Sequence, residues 1–167
     1  CDSMIRCMRF VTFLATLIFS ITLADANQQV LLQVQWQQLE LQHAALTELD
    51  KLRRVQDLSA LIAMDTKNHT RLAQAPNQIF SSGQANEVEL AFAKWRMLVK
   101  LGFTPDQFRL VYLQQRQSGE NHVWLALYHA DEVKLISTNQ IVDQSELESI
   151  LIAKRLDIIS VMDPNQI

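Results

Sequence analysis

Apolar side chains recur at helical intervals in the first half of the chain. Residues 28–46 contain four of them at such a spacing, Leu32, Trp36, Leu39 and Leu46, and we interpret this stretch as a helix. The start of a strand is the alternative, because residues 30–36 also alternate between apolar and polar types. Thr47 is a suitable N-cap for a second helix, whose apolar stripe consists of Leu49, Leu52, Val55, Leu58 and Ile62.

The pattern changes twice between residues 64 and 102. Residues 64–84 are polar and contain Pro76 and Gly83, which predicts an irregular segment. The most regular helical period of the chain follows, with apolar residues at Val88, Ala91, Phe92, Trp95, Leu98 and Val99. Gly102 lies where a helix C-terminus favours glycine. We therefore expect one helix over this stretch, with Trp95 in its buried face.

The second half of the chain favours strands. Residues 108–113, 121–128, 133–137 and 156–161 have the composition or the alternation of β-strands, and Ser145 with Glu148 has the spacing of a capping box that opens a short helix. In the second strand, His122 and Trp124 share one face and Val123 lies on the other. Helices followed by neighbouring strands predict an α+β fold, with N-terminal helices packed on an antiparallel sheet.

The first residues have the three parts of an export signal. Arg6 and Arg9 precede an uncharged run over residues 10–23, and the sequence Ala-Asp-Ala at 24–26 has the small-x-small pattern of a cleavage site. The run is shorter than the ~20 residues that span a bilayer. We therefore expect a cleaved signal peptide, and contact with a membrane only if the signal stays uncleaved.

Cleavage after residue 26 would leave a single domain over residues 27–167. Both cysteines, Cys1 and Cys7, would leave with the signal peptide over residues 1–26, so this domain would contain no thiol. The net charge of −3 and the lack of a basic cluster argue against nucleic-acid binding. The four histidines have no metal-ligand spacing, and we predict neither a metal site nor a cofactor.

Residues 75–94, with the sequence APNQIFSSGQANEVELAFAK, resemble a signature of the bacterial transglutaminase-like cysteine peptidases. That signature runs approximately T-P-x-E-F-x-x-x-G-x-G-D-C-E-D-F-A-x-A-K. The two align without a gap, and five residues match outright: Pro76, Gly83, Ala91, Ala93 and Lys94. Three flanking stretches also resemble the family, namely Asp50–Val55, Leu101–Tyr112 and His122–Leu125. The resemblance covers most of residues 48–162 and implies a papain- or transglutaminase-like fold.

In this family a Cys–His–Asp triad performs the hydrolysis, and the cysteine opens a helix. The resemblance places Glu87 at the cysteine position, His122 at the histidine position, and Ser137 or its neighbour Thr138 at the aspartate position. Calcium-binding members have acidic residues where this chain has Asn86, Val88 and Glu89, so calcium binding is in doubt and no metal is expected here. Asn121 and Trp124 are candidate cleft residues, with burial in the core as the alternative for Trp124.

The resemblance thus implies a homologue without its catalytic nucleophile. Family members include periplasmic proteases that cleave biofilm adhesins and that a membrane receptor holds. The expected function is therefore that of an inactive periplasmic pseudoenzyme that binds protein, with a periplasmic receptor domain or an adhesin segment as its partner. The alternative is a hydrolase of altered chemistry that uses Glu87 and His122 as an acid–base pair.

Overall fold

The computed structural model describes residues 26–65 and 76–166. The expected signal peptide therefore lies, except for residue 26, outside the described residues. Helix α1 covers residues 26–42, and the 3₁₀ turn His43–Ala45 leads into α2, Glu48–Ala60. Both predicted N-terminal helices are confirmed. Thr47 caps α2 as expected, since its hydroxyl oxygen accepts a hydrogen bond from the backbone N–H of Asp50 at 3.2 Å.

An irregular segment was predicted over residues 64–84, and this prediction is wrong from residue 76 onward. A short helix, α3, extends over Pro76–Ser82, and two short strands, β1 at Ala63–Met64 and β2 at Gln84–Ala85, pair in parallel. Burial explains the difference, because Ile79 and Phe80 are inaccessible to solvent and the Phe80 ring lies 6.2 Å from that of Trp36. Proline is well tolerated at the first helical position, so Pro76 begins α3.

The predicted central helix is confirmed as α4, Glu87–Lys100, but its most buried face differs from the predicted stripe. Leu90, Lys94 and Met97 are fully buried, whereas Trp95 is only partly buried. The reason is that α4 packs against α2 on one side and against the sheet on the other, so its periodicity does not identify a single inner face. Gly102 follows the helix with a φ of +100°, which glycine adopts without strain.

The sheet is antiparallel throughout, in the order β6-β5-β4-β3-β7. Its strands are β3 Phe108–Gln115, β4 Asn121–His129, β5 Glu132–Ile136, β6 Ile141–Asp143 and β7 Leu156–Met162, and the helix α5 covers Gln144–Lys154. The four predicted strands are confirmed, whereas β6 was not predicted. The predicted capping box of α5 is wrong in position, because the N-cap is Asp143, two residues before Ser145, and the helix begins at Gln144.

Both faces of the sheet are covered. The larger apolar core lies between α1–α4 and the face that carries Val123 and Leu125, and a smaller one lies between α5 and the face that carries Trp124. The chain is therefore an α+β fold with helices packed on an antiparallel sheet. Among the described residues, no helix combines the length and the apolar character that crossing a bilayer requires.

Candidate functional site

Glu87 is the first residue of α4, and a complete capping box fixes its backbone. The side-chain oxygen of Asn86 accepts from the N–H of Glu89 at 2.8 Å, and the Glu89 carboxylate accepts from the N–H of Asn86 at 2.9 Å. Asn86 and Glu89 are both buried. The box fixes the first turn of α4. The Glu87 side chain takes no part in the capping bonds and instead contacts His122 of β4.

His122 lies in the first part of β4, which β5 does not cover. β5 pairs with β4 only from Leu125 onward, so the first four residues of β4 lack a strand partner on that side. The carboxylate of Glu87 enters this gap. His122 Nδ1 lies 3.2 Å from Glu87 Oε2 and 3.4 Å from Oε1, and the two side chains are 27% and 22% exposed. The two residues that the resemblance placed together are thus in hydrogen-bonding contact.

The aspartate position of the predicted triad does not support His122. The Ser137 hydroxyl donates toward Gln140 O at 3.2 Å and accepts from the N–H of Gln140 at 3.1 Å, so it closes its own turn. The Thr138 hydroxyl instead donates to Glu87 Oε1 at 2.9 Å. Of the two predicted alternatives, only Thr138 bonds to the pair, and it binds the carboxylate rather than the imidazole.

A buried lysine, which the sequence analysis did not single out as a site residue, holds the loop that carries Thr138. Lys94 Nζ donates to Ser137 O at 2.5 Å, to Thr138 O at 3.2 Å and to Gln56 Oε1 at 3.0 Å. Gln56 Nε2 also donates to Thr138 O at 3.0 Å. The signal available in the sequence was the position of Lys94 four residues after Leu90 and three before Met97, in one apolar row of α4.

The environment of Lys94 changes its proton affinity. Burial lowers the pKa of Lys94 to about 7 because the ammonium loses its hydration, and the nearby Glu87 carboxylate opposes this by raising it. All three hydrogen-bond partners of Nζ are acceptors, which suits a group with three N–H donors. Lys94 is therefore a positioning residue beneath the site, and it can change its charge near neutral pH.

An open cavity of about 670 Å³ adjoins the pair. Glu87, His122, Trp124 and Thr138 lie on one side of it, and Ala153, Lys154 and Arg155 at the end of α5 lie on the other. Lys154 Nζ stands 5.8 Å from the centre of a Trp124 ring. Trp124 lines the cavity and is also buried, so the predicted cleft position and the alternative of burial in the core both describe it. Asn121, the other predicted cleft residue, lines a neighbouring cavity.

Two of the three residues at the calcium positions form the capping box of α4, and the third is apolar. Asn86 and Glu89 bond to each other's backbone, and Val88 contributes an apolar side chain to the core. One carboxylate oxygen, Glu89 Oε1, is buried and has no hydrogen-bond partner among residues 26–65 and 76–166. In the part of the chain that the structure describes, no cluster of three or more His, Cys, Asp or Glu residues has the geometry of a metal site.

The comparisons with known proteins agree with this geometry at the level of the fold. No family model and no curated protein matches the chain. Among solved structures, Legionella pneumophila LapG has a TM-score of 0.63 at 17% identity over 84% of each chain, and its calcium-bound form has a TM-score of 0.65 with the same identity and coverage. The EGTA-treated form has a TM-score of 0.62 at 17% identity, over 83% of this chain and 81% of that one. The chain therefore has the transglutaminase-like fold of LapG, a cysteine protease.

Proposed function

We propose that this chain is an exported, periplasmic protein-binding domain that has the fold of a cysteine peptidase without its catalysis. The observation that carries the proposal is the contact of Glu87 with His122 at the start of α4. The resemblance places the nucleophilic cysteine of the family at this position. A carboxylate here forms a hydrogen bond with the imidazole, whereas a thiol would be activated by it.

Peptide hydrolysis by the family's route is not expected from this arrangement. Loss of a triad nucleophile costs on the order of 10⁶ in rate, and a carboxylate rarely attacks an amide. Glu87 Oε1 also accepts a hydrogen bond from Thr138, which further reduces its nucleophilicity. Neither Ser137 nor Thr138 orients the imidazole of His122, since the Ser137 hydroxyl bonds within its own turn and the Thr138 hydroxyl bonds to Glu87.

The cavity beside the pair supports binding of an extended protein segment. It is open, it lies between the sheet and the end of α5, and it presents one aromatic side chain, Trp124, among amide and charged groups. Such a mixture suits a peptide, whose backbone needs hydrogen-bond partners and whose side chains need apolar contact. We infer that the segment belongs to a periplasmic partner, either an adhesin or a receptor domain.

A library of labelled twelve-residue peptides, screened against the purified protein, tests this function. Peptides that bind should be recovered intact after overnight incubation, as measured by mass spectrometry. Ala153 lines the cavity and Ile152, the preceding residue, is exposed outside it. Ala153→Trp should therefore weaken binding at least tenfold, whereas the control Ile152→Trp should leave it unchanged. Failure of all peptides to bind, or binding that Ala153→Trp does not affect, would reject the proposal.

The second candidate function is a hydrolase of altered chemistry. The 3.2 Å separation of His122 Nδ1 and Glu87 Oε2 favours it, because an acid–base pair needs hydrogen-bonding contact. The same incubation distinguishes the two functions. Peptide fragments that appear with the wild type and disappear with Glu87→Gln would establish hydrolysis and overturn the non-catalytic proposal, whereas intact peptides agree with it.

A further inference from the structure

A second cavity, of about 590 Å³, adjoins Glu87 on the other side of the β4 start. It crosses three neighbouring strands, since Val123 of β4, Tyr112 of β3 and Ile159 of β7 all line it. Met64 of β1 and Val88 of α4 add further apolar surface. We call this cavity the trough. It extends from the candidate site to β7, the edge strand of the sheet.

The charges of the trough have one sign. Its charged lining among the described residues consists of Asp65, Glu87 and Glu120. Glu87 is in contact with His122 and accepts a hydrogen bond from Thr138. Glu120 belongs to the turn between β3 and β4, where its backbone is held by Gln115 N at 2.8 Å and by the Ser118 hydroxyl at 3.2 Å. The turn therefore presents the Glu120 carboxylate, which forms no ion pair with a described residue, at the border of both cavities.

The cavity on the other side of Glu87 differs in charge. Lys154 and Arg155 line it together with Glu87 and Glu120, so cations balance carboxylates there. A ligand that spans both cavities therefore meets a mixed environment beside α5 and an acidic one in the trough. Opposite charges lower the energy of association and accelerate it. A positive side chain of such a ligand is thus directed to the trough.

The trough ends at β7, an outer strand of the sheet that carries exposed apolar side chains. β7 bonds to β3 on one side, and no described strand covers its other side. Its apolar side chains are unusually exposed, with Ile158 at 48%, Ile159 at 55% and Val161 at 50%. Edge strands are commonly protected by lysine, proline or a bulge that turns the strand away. β7 contains neither lysine nor proline, but its register with β3 shifts between Ser160 and Ile158, which leaves Ile159 as an extra, bulged residue. Extended segments add to sheet edges by main-chain hydrogen bonds.

From these observations we infer that the trough binds an extended partner segment that carries a Lys or Arg residue next to a large apolar side chain. The inference rests on the proposed protein-binding function and defines its ligand class. The apolar side chain lies among Tyr112, Val123 and Ile159, and the cation lies against Glu120. The remainder of the segment passes Glu87 and enters the cavity at α5.

Three fluorescein-labelled peptides of twelve residues test this inference. They share a Val-Leu-Xaa-Val core within Gly-Ser flanks, and Xaa is Lys, Gln or Glu. Twelve extended residues cover about 40 Å, enough to pass through both cavities. By fluorescence anisotropy in 50 mM salt, the Lys peptide should bind at least fivefold more tightly than the Gln peptide, and the Glu peptide more weakly than both. The preference should shrink in 500 mM salt, because salt screens the attraction.

Matched variants test which residues cause the preference for the Lys peptide. Glu120→Gln should reduce the ratio of Lys-peptide to Glu-peptide affinity at least threefold, whereas Glu146→Gln, an exposed change on α5 outside both cavities, should leave the ratio unchanged. Ile159→Ser should weaken all three peptides, and Ile152→Ser, at an even more exposed position outside both cavities, should not.

The outcomes separate this inference from the proposed function. Equal affinities for the three peptides, with binding still blocked by Ala153→Trp, would overturn the inference and leave the protein-binding function standing. Failure of all three to bind, together with an empty library screen, would overturn both. A dimer in sedimentation velocity that Ile159→Ser converts to a monomer would show that a second copy of the chain occupies β7, and this result also overturns the inference.

Discussion

The carboxylate of Glu87 accepts one hydrogen bond from strand β4 and one from the loop after β5. These bonds join the start of α4 to both segments. His122 and Thr138 supply the donors. The proximity of Glu87 and His122 was predictable from the resemblance to the peptidase family, which places both residues at positions of its triad. It was not predictable whether Ser137 or Thr138 contacts the pair, because both lie in a turn, where neighbouring side chains point in different directions.

Lys94 lies beneath the site, and its ionisation should affect the free energy of unfolding. The folded chain has a Lys94 pKa of about 7, whereas 10.5 is the ordinary value. Between these pH values the unfolded chain binds more protons than the folded chain, so the free energy of unfolding increases with pH across this window. The increase from one residue is at most about 1.4 kcal/mol per pH unit.

Urea denaturation at pH 7, 8 and 9 measures this dependence. The wild type should gain stability relative to Lys94→Met as the pH rises, because the methionine variant lacks the titrating group. Lys100→Met, at an exposed position of the same helix, controls for the loss of a lysine. Equal pH slopes for the wild type and Lys94→Met would show that Lys94 keeps its proton in the folded chain.

The helix α4 is the element on which the site depends, because its N-terminus carries Glu87 and its interior carries Lys94. Its existence was predictable from the apolar period and its C-terminal end from Gly102. Its orientation was not, since the helix is buried on several faces. The short helix α3 was also missed, because seven residues give too few periods to recognise, and contact with Trp36 rather than local preference fixes it.

The capping box of α4 should stabilise the protein more than the cap of α2. Asn86→Ala removes a buried acceptor and leaves the N–H of Glu89 without it, so we expect a loss of about 2 kcal/mol in the free energy of unfolding. Thr47→Ala removes an exposed cap and should cost about 1 kcal/mol or less. Thermal or urea denaturation provides both values. A loss for Asn86→Ala no larger than that for Thr47→Ala would contradict a structural role of the box.

The whole molecule has the transglutaminase-like fold of LapG, with helices on one face of an antiparallel sheet and α5 on the other. The order of helices and strands along the sequence predicted this class, since each layer arises from consecutive elements. The two cavities could not be predicted, because residues as distant along the chain as Met64, Glu87, Glu120 and Ile159 form them. Their shapes depend on where β5 leaves β4 and where α5 ends.

If Glu87 occupies the position of a peptidase nucleophile, the substitution Glu87→Cys should place a reactive thiol there. A thiol at a helix N-terminus beside His122 should form a thiolate more readily than an ordinary cysteine. Its alkylation by iodoacetamide at pH 7, followed at residue 87 by peptide mass spectrometry, should be about five- to tenfold faster than that of Gln144→Cys, the first residue of α5. His122→Ala should remove the advantage. Equal rates at the two positions, or a fast rate that persists without His122, would contradict this placement of Glu87.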